Sequence, residues 1–382
     1  MPGRFWGLDP EIIFLNHGSF GACPRPVLEA QQKLREHIER EPVRFFAREL
    51  EGRLDAARRE LAGFVGAAPG DLVFVPNATY AVNSVLRSLK LNPGDELLTT
   101  NHEYNACKNA LKFAAGRRGA RVKVARVPFP LQSPDQVTAA VMEAVTPRTR
   151  LALIDHVTSQ TGLVFPVADL VSRLAERGVD TLVDGAHAPG MLPLDVGAIG
   201  AAYYTGNCHK WLCAPKGAAF LVVRPDRQPE IRPLAISHGA NSPRKDRSRY
   251  QIEFGYTGTD DPTAFLCVPE AIRFLSSLFE GGFDKLMQIN HALLIEARDI
   301  VCDALGRDPP CPDSMLGSLA AIPIPDGAPA VSNELLDRYQ IEVPVIPWPR
   351  PPLRILRISS QVYNQVEHYH QLAKALKEIL SL

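Results

Sequence analysis

The stretch YYTGNCHKWL, Tyr203 to Leu212, holds one lysine, Lys210, in an otherwise mostly uncharged run. An apolar setting disfavours an ammonium and lowers a lysine's pKa, so such a lysine can add to a carbonyl as a free amine. Taken alone, Lys210 reads first as a strand-end lysine whose charge snorkels to solvent, since buried lysines are uncommon. The surrounding sequence has to decide between the two.

The run leading into Lys210, GAAYYTG from Gly200, is one of seven apolar runs of strand length; the others are DLVFVP from Asp71, ELLTT from Glu96, RVKVARV from Arg121, RLALIDHV from Arg150, DTLVDGA from Asp180 and GAAFLVV from Gly217. Helical patterns such as VNSVLRSLK, QVTAAVMEAV and VADLVSRLAERG separate most of them. Apolar strands alternating with crossover helices predict an α/β fold with a mostly parallel seven-stranded sheet covered on both faces. Upstream, an arm over residues 1–25 precedes helices from Pro26 to Arg40 and from Ala47 to Gly66, the second with Leu50, Leu54, Ala57, Leu61, Phe64 and Val65 on one face. The large α/β domain is expected over residues 26–261. Residues 224–250, rich in proline and arginine, read as a long surface loop placed to act as a lid. From Pro262 the pattern changes to two long helices (Pro262 to Glu280, Phe283 to Leu305), strand-like SLAAIPI, VPVI and LRILRIS, and a helix from Asn364 to Leu382. That change predicts a smaller α+β domain over residues 262–382.

A chain of 382 residues, 46% hydrophobic and 22% charged, has the composition of an ordinary globular protein with room for two domains. Lys+Arg 42 against Asp+Glu 42 leaves no net charge, which argues against a nucleic-acid or membrane surface as main partner and favours a small molecule. The start, MPGRFWGLDPEIIFLNHGSFG, interrupts its apolar residues with charges and prolines and does not read as a secretory signal. No run approaches membrane-spanning length. Seven cysteines without a CxxC pair argue against a zinc site and fit reduced thiols in a cytoplasmic protein.

In a parallel α/β sheet ligands gather at the carboxyl ends of the strands. The first strand ends at Pro76, followed by Asn77, Ala78 and Thr79 at a helix start, where Asn77 can cap and free backbone donors with the Thr79 hydroxyl can hold a phosphate. The second leads to His102, Glu103 and Tyr104, an aromatic able to stack on a flat ring. The fourth leads to the polar turn Thr158, Ser159, Gln160, Thr161 and Gly162, which offers side-chain donors to a ligand. The fifth closes on Asp184 in VDGAHAPG, a carboxylate that needs a partner if buried. The sixth runs into Asn207, His209 and Lys210. Singly these are caps, core aromatics and loops. Together, a lysine amine, a carboxylate for a pyridinium nitrogen, a flat aromatic and a phosphate-holding helix start are what pyridoxal 5'-phosphate requires.

The motifs FLNHGSFGACP, PNATYAVN, NHEYNA, DHVTSQTG, VDGAHAPG, TGNCHKWL, GYTGTDDP and LRISSQVYN run from about residue 14 to 364. With them the sequence resembles a fold-type-I pyridoxal phosphate enzyme of the class V aminotransferase group, and within it the isopenicillin N epimerase-like branch. The resemblance implies that Lys210 carries the internal aldimine, that Asp184 pairs with the ring nitrogen, that Tyr104 stacks on the ring and that His187 lies beside the ring hydroxyl. Ala78, Thr79, Asn207 and His209 fall on phosphate-binding positions, with asparagine at 207 where many relatives show serine. Thr257, Gly258 and Thr259 would reach the phosphate from a second subunit, which implies a homodimer with active sites at the subunit interface. Arg357 matches the arginine that holds a substrate carboxylate, and Asn16 and His17, with Gln160, would line the substrate pocket.

By the same resemblance Lys210 takes the α-proton of an amino acid, after which epimerisation, loss of a group from Cβ, or transamination can follow. Cysteine desulfurases of this group carry a nucleophilic cysteine shortly before the carboxylate-binding arginine, whereas Ser314 to Arg357 contains none. Persulfide-forming desulfuration is therefore not expected unless Cys311 reaches in. The expectation is an epimerase-like or C–S lyase reaction on an amino acid with a bulky or sulfur-containing side chain, ahead of an aminotransferase. A non-catalytic carrier of the cofactor has no use for Arg357. A plain nucleotide-binding sheet should show GxGxxG after its first strand, which is missing.

Overall fold

In the computed structural model, which describes residues 2–327 and 330–381, the seven apolar runs become the strands of one sheet. Met1, residues 328–329 and Leu382, the last residue of the expected terminal helix, lie outside the described residues. The strands are β1 (Leu72–Val75), β2 (Glu96–Thr100), β3 (Arg121–Ala125), β4 (Thr149–Asp155), β5 (Asp180–Asp184), β6 (Tyr203–Asn207) and β7 (Ala219–Val223), in the order β1-β7-β6-β5-β4-β2-β3. Strands β2 to β6 pair in parallel. No crossover helix separates β6 from β7, so β7 folds back antiparallel to both β6 and β1. Two reversals restore direction, and β1 therefore points the same way as β6. Six carboxyl ends consequently share one edge of the sheet, as the mostly parallel α/β pattern predicts.

Alternation along each strand divides its side chains between the two faces. Leu98, Ala152, Ile154, Val183, Tyr204 and Phe220 enter one core with helices Asp135–Ala144 and Val167–Glu176. Their neighbours Leu97, Leu151, Leu153, Leu182, Tyr203 and Leu221 enter the other with helices Ala78–Ser88 and Asn105–Gly116. Burial on both faces is why these strands read as continuous apolar runs.

The first core extends into the C-terminal elements, including Leu294, Leu356, Ile358 and Leu372. There β8 (Leu319–Ile324), β9 (Val345–Pro347) and β10 (Arg354–Ser359) form an antiparallel sheet in the order β9-β10-β8. The helix expected from Pro262 to Glu280 is split into Thr263–Leu266 and Val268–Ser276, because Pro269 lacks an N–H and sits in a helix's first turn rather than its interior. The helix Leu50–Val65 is preceded by a π-helical turn, Phe45–Glu49, and stops at Gly66 in the left-handed region. The loop 224–250 is mostly irregular but not loose: Arg244 and Arg247 pair with Glu51 and Asp55 on that helix.

The N-terminal arm pairs Ile13–Phe14 in parallel with Ile341–Glu342, then turns through a short helix, His17–Phe20, into Gly21. Gly21 has φ +68°, and a Cβ there would lie 2.2 Å from the His209 carbonyl oxygen and 2.9 Å from the Lys210 Cα. The arm thus lies directly against the lysine turn. Gly21→Ala is expected to destabilise the protein by more than about 2 kcal/mol through left-handed strain and this clash. Gly63→Ala, in an open helical position, should stabilise by about 0.5–1 kcal/mol. Urea unfolding of the two variants checks both signs.

Candidate active site

The strand ends, the arm and β10 enclose a cavity of about 460 Å³ lined by Lys210, Asp184, Asp155, Tyr104, His187, Asn207, His209, Gln160 and Arg357. This size suits a small molecule. Lys210 follows β6 in a turn held by the Cys208 and His209 amides, which both donate to the Ala218 carbonyl. The part of its side chain that is not covered faces the cavity. Burial lowers its pKa to about 8, against the opposing pull of Asp184. Its Nζ lies 3.0 Å from His187 Nε2, and His187 Nδ1 accepts from the Trp211 indole at 3.3 Å.

Asp184 closes β5 and is buried. Oδ1 accepts from the Ala186 amide at 2.9 Å and Oδ2 from the Cys107 thiol at 3.3 Å. Asp155 lies beside it in register at the end of β4, and Glu103 is buried close by. Burial and mutual repulsion push the Asp155 and Glu103 carboxyls well above the usual range. Burial raises Asp184 too, but the Ala186 amide, the Cys107 thiol and the nearby Lys210 oppose the rise, and of the three it alone is not driven well above the usual range. One Asp155 oxygen and Gln160 Oε1 are buried at the cavity without a hydrogen-bond partner among the described residues.

At the start of helix Ala78–Ser88, Asn77 caps the Tyr80 amide at 2.8 Å and Asn207 Oδ1 accepts from the Ala78 amide at 2.9 Å. Asn207 therefore ties β6 to this helix start. Thr79 lines the cavity, and neither its amide nor its hydroxyl has a partner as donor among the described residues. His209 Nδ1 donates to the Ala218 carbonyl at 2.9 Å, and burial lowers its pKa to about 4. Tyr104 stands at the head of helix Asn105–Gly116, 45% exposed, with its ring free to cover a ligand.

Arg357, in the middle of β10, is 5% exposed. It donates to the Ser159 carbonyl, to Ser19 Oγ at 2.8 Å and to Asn16 Oδ1 at 3.3 Å. Burial lowers its pKa to about 10. Among the described residues no carboxylate pairs with Arg357, and neither Asp184 nor Lys210 has an ion-pair partner.

Two expectations need correction. His17 does not line the cavity; its ring nitrogens bond to the Tyr363 hydroxyl at 2.7 Å and the Lys210 carbonyl at 3.1 Å, so it supports the lysine turn from behind. Asn16 sits behind Arg357 and bonds to Glu342, while Gly18, Ser19 and Phe20 are the arm residues that reach the cavity. Nor does the loop 224–250 line it among the described residues. Thr257 and Gly258 line an adjoining hollow with Pro76 and Tyr80; Thr259, bonded to the Tyr256 hydroxyl at 2.9 Å, lies like them outside this chain's Lys210 cavity. Asp155 was missed although it closes β4 as Asp184 closes β5. Cys107, one turn into a helix, and Trp211, inside the quoted stretch itself, carried no strand-end signal.

The chain belongs to the class-V aminotransferase family, whose sequence model matches residues 13–345. It is 37% identical to an isopenicillin N epimerase of Amycolatopsis lactamdurans, covering 97% of this chain and 96% of that one. It is 32% identical to a probable chloroplastic L-cysteine desulfhydrase of Arabidopsis thaliana, covering 97% of this chain and 84% of the relative. Among solved structures it matches a mutant of C-DES with glycine covalently linked to its PLP cofactor, with TM-score 0.81 and 22% identity over 96% of both chains. That likeness concerns the fold.

The lowered pKa gives a direct test of the site. Acylation of Lys210 in the cofactor-free protein, followed by peptide mass spectrometry across pH, should show a midpoint near 8 rather than near 10.5. A midpoint near the ordinary value would mean the amine is solvated.

Proposed function

We propose that the protein is a pyridoxal 5'-phosphate-dependent enzyme acting at the α-carbon of an amino acid, as an isopenicillin N epimerase-like epimerase or a C–S lyase. The supporting observation is that Lys210, Asp184 and Arg357 share one cavity with no ion-pair partner among the described residues. Enclosed charge is costly unless something complements it. The cofactor and an amino-acid substrate complement all three. An aldehyde suits the Lys210 amine, a pyridine N–H suits Asp184, a phosphate suits the Thr79 donors at the helix start, and a carboxylate suits the Arg357 fork.

The residues fit the cofactor. Lys210 would anchor its aldehyde carbon, Asp184 its ring nitrogen, Tyr104 its open face, and Ala78, Thr79, Asn207 and His209 its phosphate end, with His187 beside the ring hydroxyl. When bound, the cationic ring serves as a sink for electrons released at the substrate's α-carbon. Asp184 keeps that ring protonated by remaining ionised. Arg357 fixes the substrate carboxylate and so orients the α-hydrogen toward Lys210. Once its amine is free, Lys210 Nζ accepts that proton, which a pKa near 8 suits at neutral pH. Delivery of the proton to the opposite face gives epimerisation; departure of a Cβ thiolate gives C–S cleavage.

The curated relatives named as epimerase and as desulfhydrase support these two outcomes. No cysteine lines the cavity among the described residues, and Cys311 is buried in the core with its thiol pushed up to about 12. This supports chemistry without a protein persulfide. We extend the reading to a cytoplasmic homodimer with a large domain over 26–261 and a smaller one over 262–382, in which Gly258 and Thr259 of one subunit complete the phosphate site of the other. Sedimentation of a fully active monomer would refute the dimer.

Incubating the loaded protein in deuterated water with amino acids and thioethers tests the reaction. Deuterium exchange with inversion, or release of pyruvate and ammonia, is expected, together with a visible absorption band that Lys210→Ala abolishes without unfolding. Amino transfer to a keto acid as the only product would replace the proposed reaction by transamination. Arg357→Lys should weaken amino-acid binding at least tenfold while changing cofactor affinity little, because a point charge cannot reproduce the fork; equal losses would sink the clamp.

A further inference from the structure

Trp211 follows Lys210 in the chain and is fully buried. Its Nε1–H points at Nδ1 of His187, 3.3 Å away. An indole nitrogen only donates, so Nδ1 must accept. His187 is itself buried, and burial with the nearby charges of Lys210 and Arg357 keeps its ring neutral. A neutral imidazole carries one hydrogen, which Trp211 thereby places on Nε2. Nε2 lies 3.0 Å from Lys210 Nζ. An ammonium has three hydrogens and no lone pair; only the neutral amine can accept from Nε2–H.

We infer that Trp211 is a positioning residue which, through the tautomer of His187, selects the neutral and nucleophilic form of Lys210. The other groups facing these two side chains show why such a device is useful. Burial disfavours an ammonium at Lys210, Asp184 favours it, Arg357 opposes it, and Cys107 and Asp155 favour it. His17 and His209 face His187 together with Lys210 and Arg357. The His187 tautomer adds to the effect of burial, against the pull of the carboxylates in the same cavity. The opposite tautomer, with a lone pair on Nε2, would accept from an ammonium and stabilise it.

The backbone enforces the pairing. Gly190, at φ +85°, brings the turn after β5 so close to the turn after β6 that a Cβ would lie 2.6 Å from the Trp211 carbonyl carbon. On its other side, His17 packs against the Trp211 ring, centroid to centroid 4.8 Å, and bonds to the Lys210 carbonyl. The value of a neutral Lys210 for catalysis rests on the function proposed above; the tautomer itself does not.

Two substitutions remove the N–H: 3-benzothienylalanine at position 211, which keeps the ring shape and guards against misfolding, and Trp211→Phe. Imidazole nitrogen NMR of the full chain, with His187 assigned by the signal lost in His187→Gln, should show Nε2–H in the unmodified protein and a tautomer mixture in both variants. The acylation midpoint of Lys210 should rise by about one pH unit, as expected when a preference worth one tenfold step is lost. An Nδ1–H tautomer in the unmodified protein, or an unchanged tautomer in the variants, overturns the inference. A tautomer change with an unmoved Lys210 midpoint overturns the link to the lysine. Neither readout needs the cofactor, so failure of the protein to bind pyridoxal 5'-phosphate would sink the proposed function and leave this test decisive.

Discussion

Placing charge out of water without a counter-charge costs several kcal/mol per ion, and the Lys210 cavity does so at Asp184, closing β5, and at Arg357, on β10. Asp184 is met by an amide and a thiol, Arg357 by a carbonyl, a hydroxyl and a side-chain amide oxygen, and Lys210 by an imidazole. Each partner is neutral. For Asp184 and Arg357 such a partner orients the group without cancelling its charge, which leaves the charge available to a ligand; for Lys210 it leaves the amine available. A site of this kind lowers local stability in exchange for recognition, and a ligand that completes it stabilises the folded chain by mass action.

The rest of the architecture holds those groups in place. Parallel strands β4, β5 and β6 bring Asp155, Asp184 and Asn207 to one edge. The antiparallel return of β7 permits the tight turn that carries Lys210, and also places β1 so that the helix start at Ala78 meets Asn207. The arm and β10 close the cavity from the other side, with His17 behind the lysine turn and Asn16 behind Arg357. Residues that look like cavity residues in the chain are thus divided between those that face the ligand and those that brace the ones that do.

Strand ends were legible because burial on both faces writes a continuous apolar run, and a polar residue closing such a run stands out. Lys210, Asp184, Thr79 and Gln160 were found that way, and the strand-end reasoning reached Tyr104 too. Asp155 bears the same mark yet passed as the close of an ordinary strand. The arm was harder. Its two-residue strand carries no periodicity, so nothing local says which of Asn16, His17, Ser19 and Phe20 turns inward. Trp211 was hidden for another reason: a tryptophan beside a lysine reads as core, and its effect depends on a histidine one crossover away.

The chain's own pattern was sufficient for the α/β alternation, the seven strands and the residue types at their ends, because these follow from local periodicity and from the cost of burying polar groups. Which charges would be left without counter-charges, which histidine would face the ligand and which would stand behind, and which nitrogen of His187 would carry the hydrogen were settled only by tertiary structure. Those properties belong to distances between segments far apart in sequence, set by sheet order, by the docking of the arm and by the close approach at Gly190.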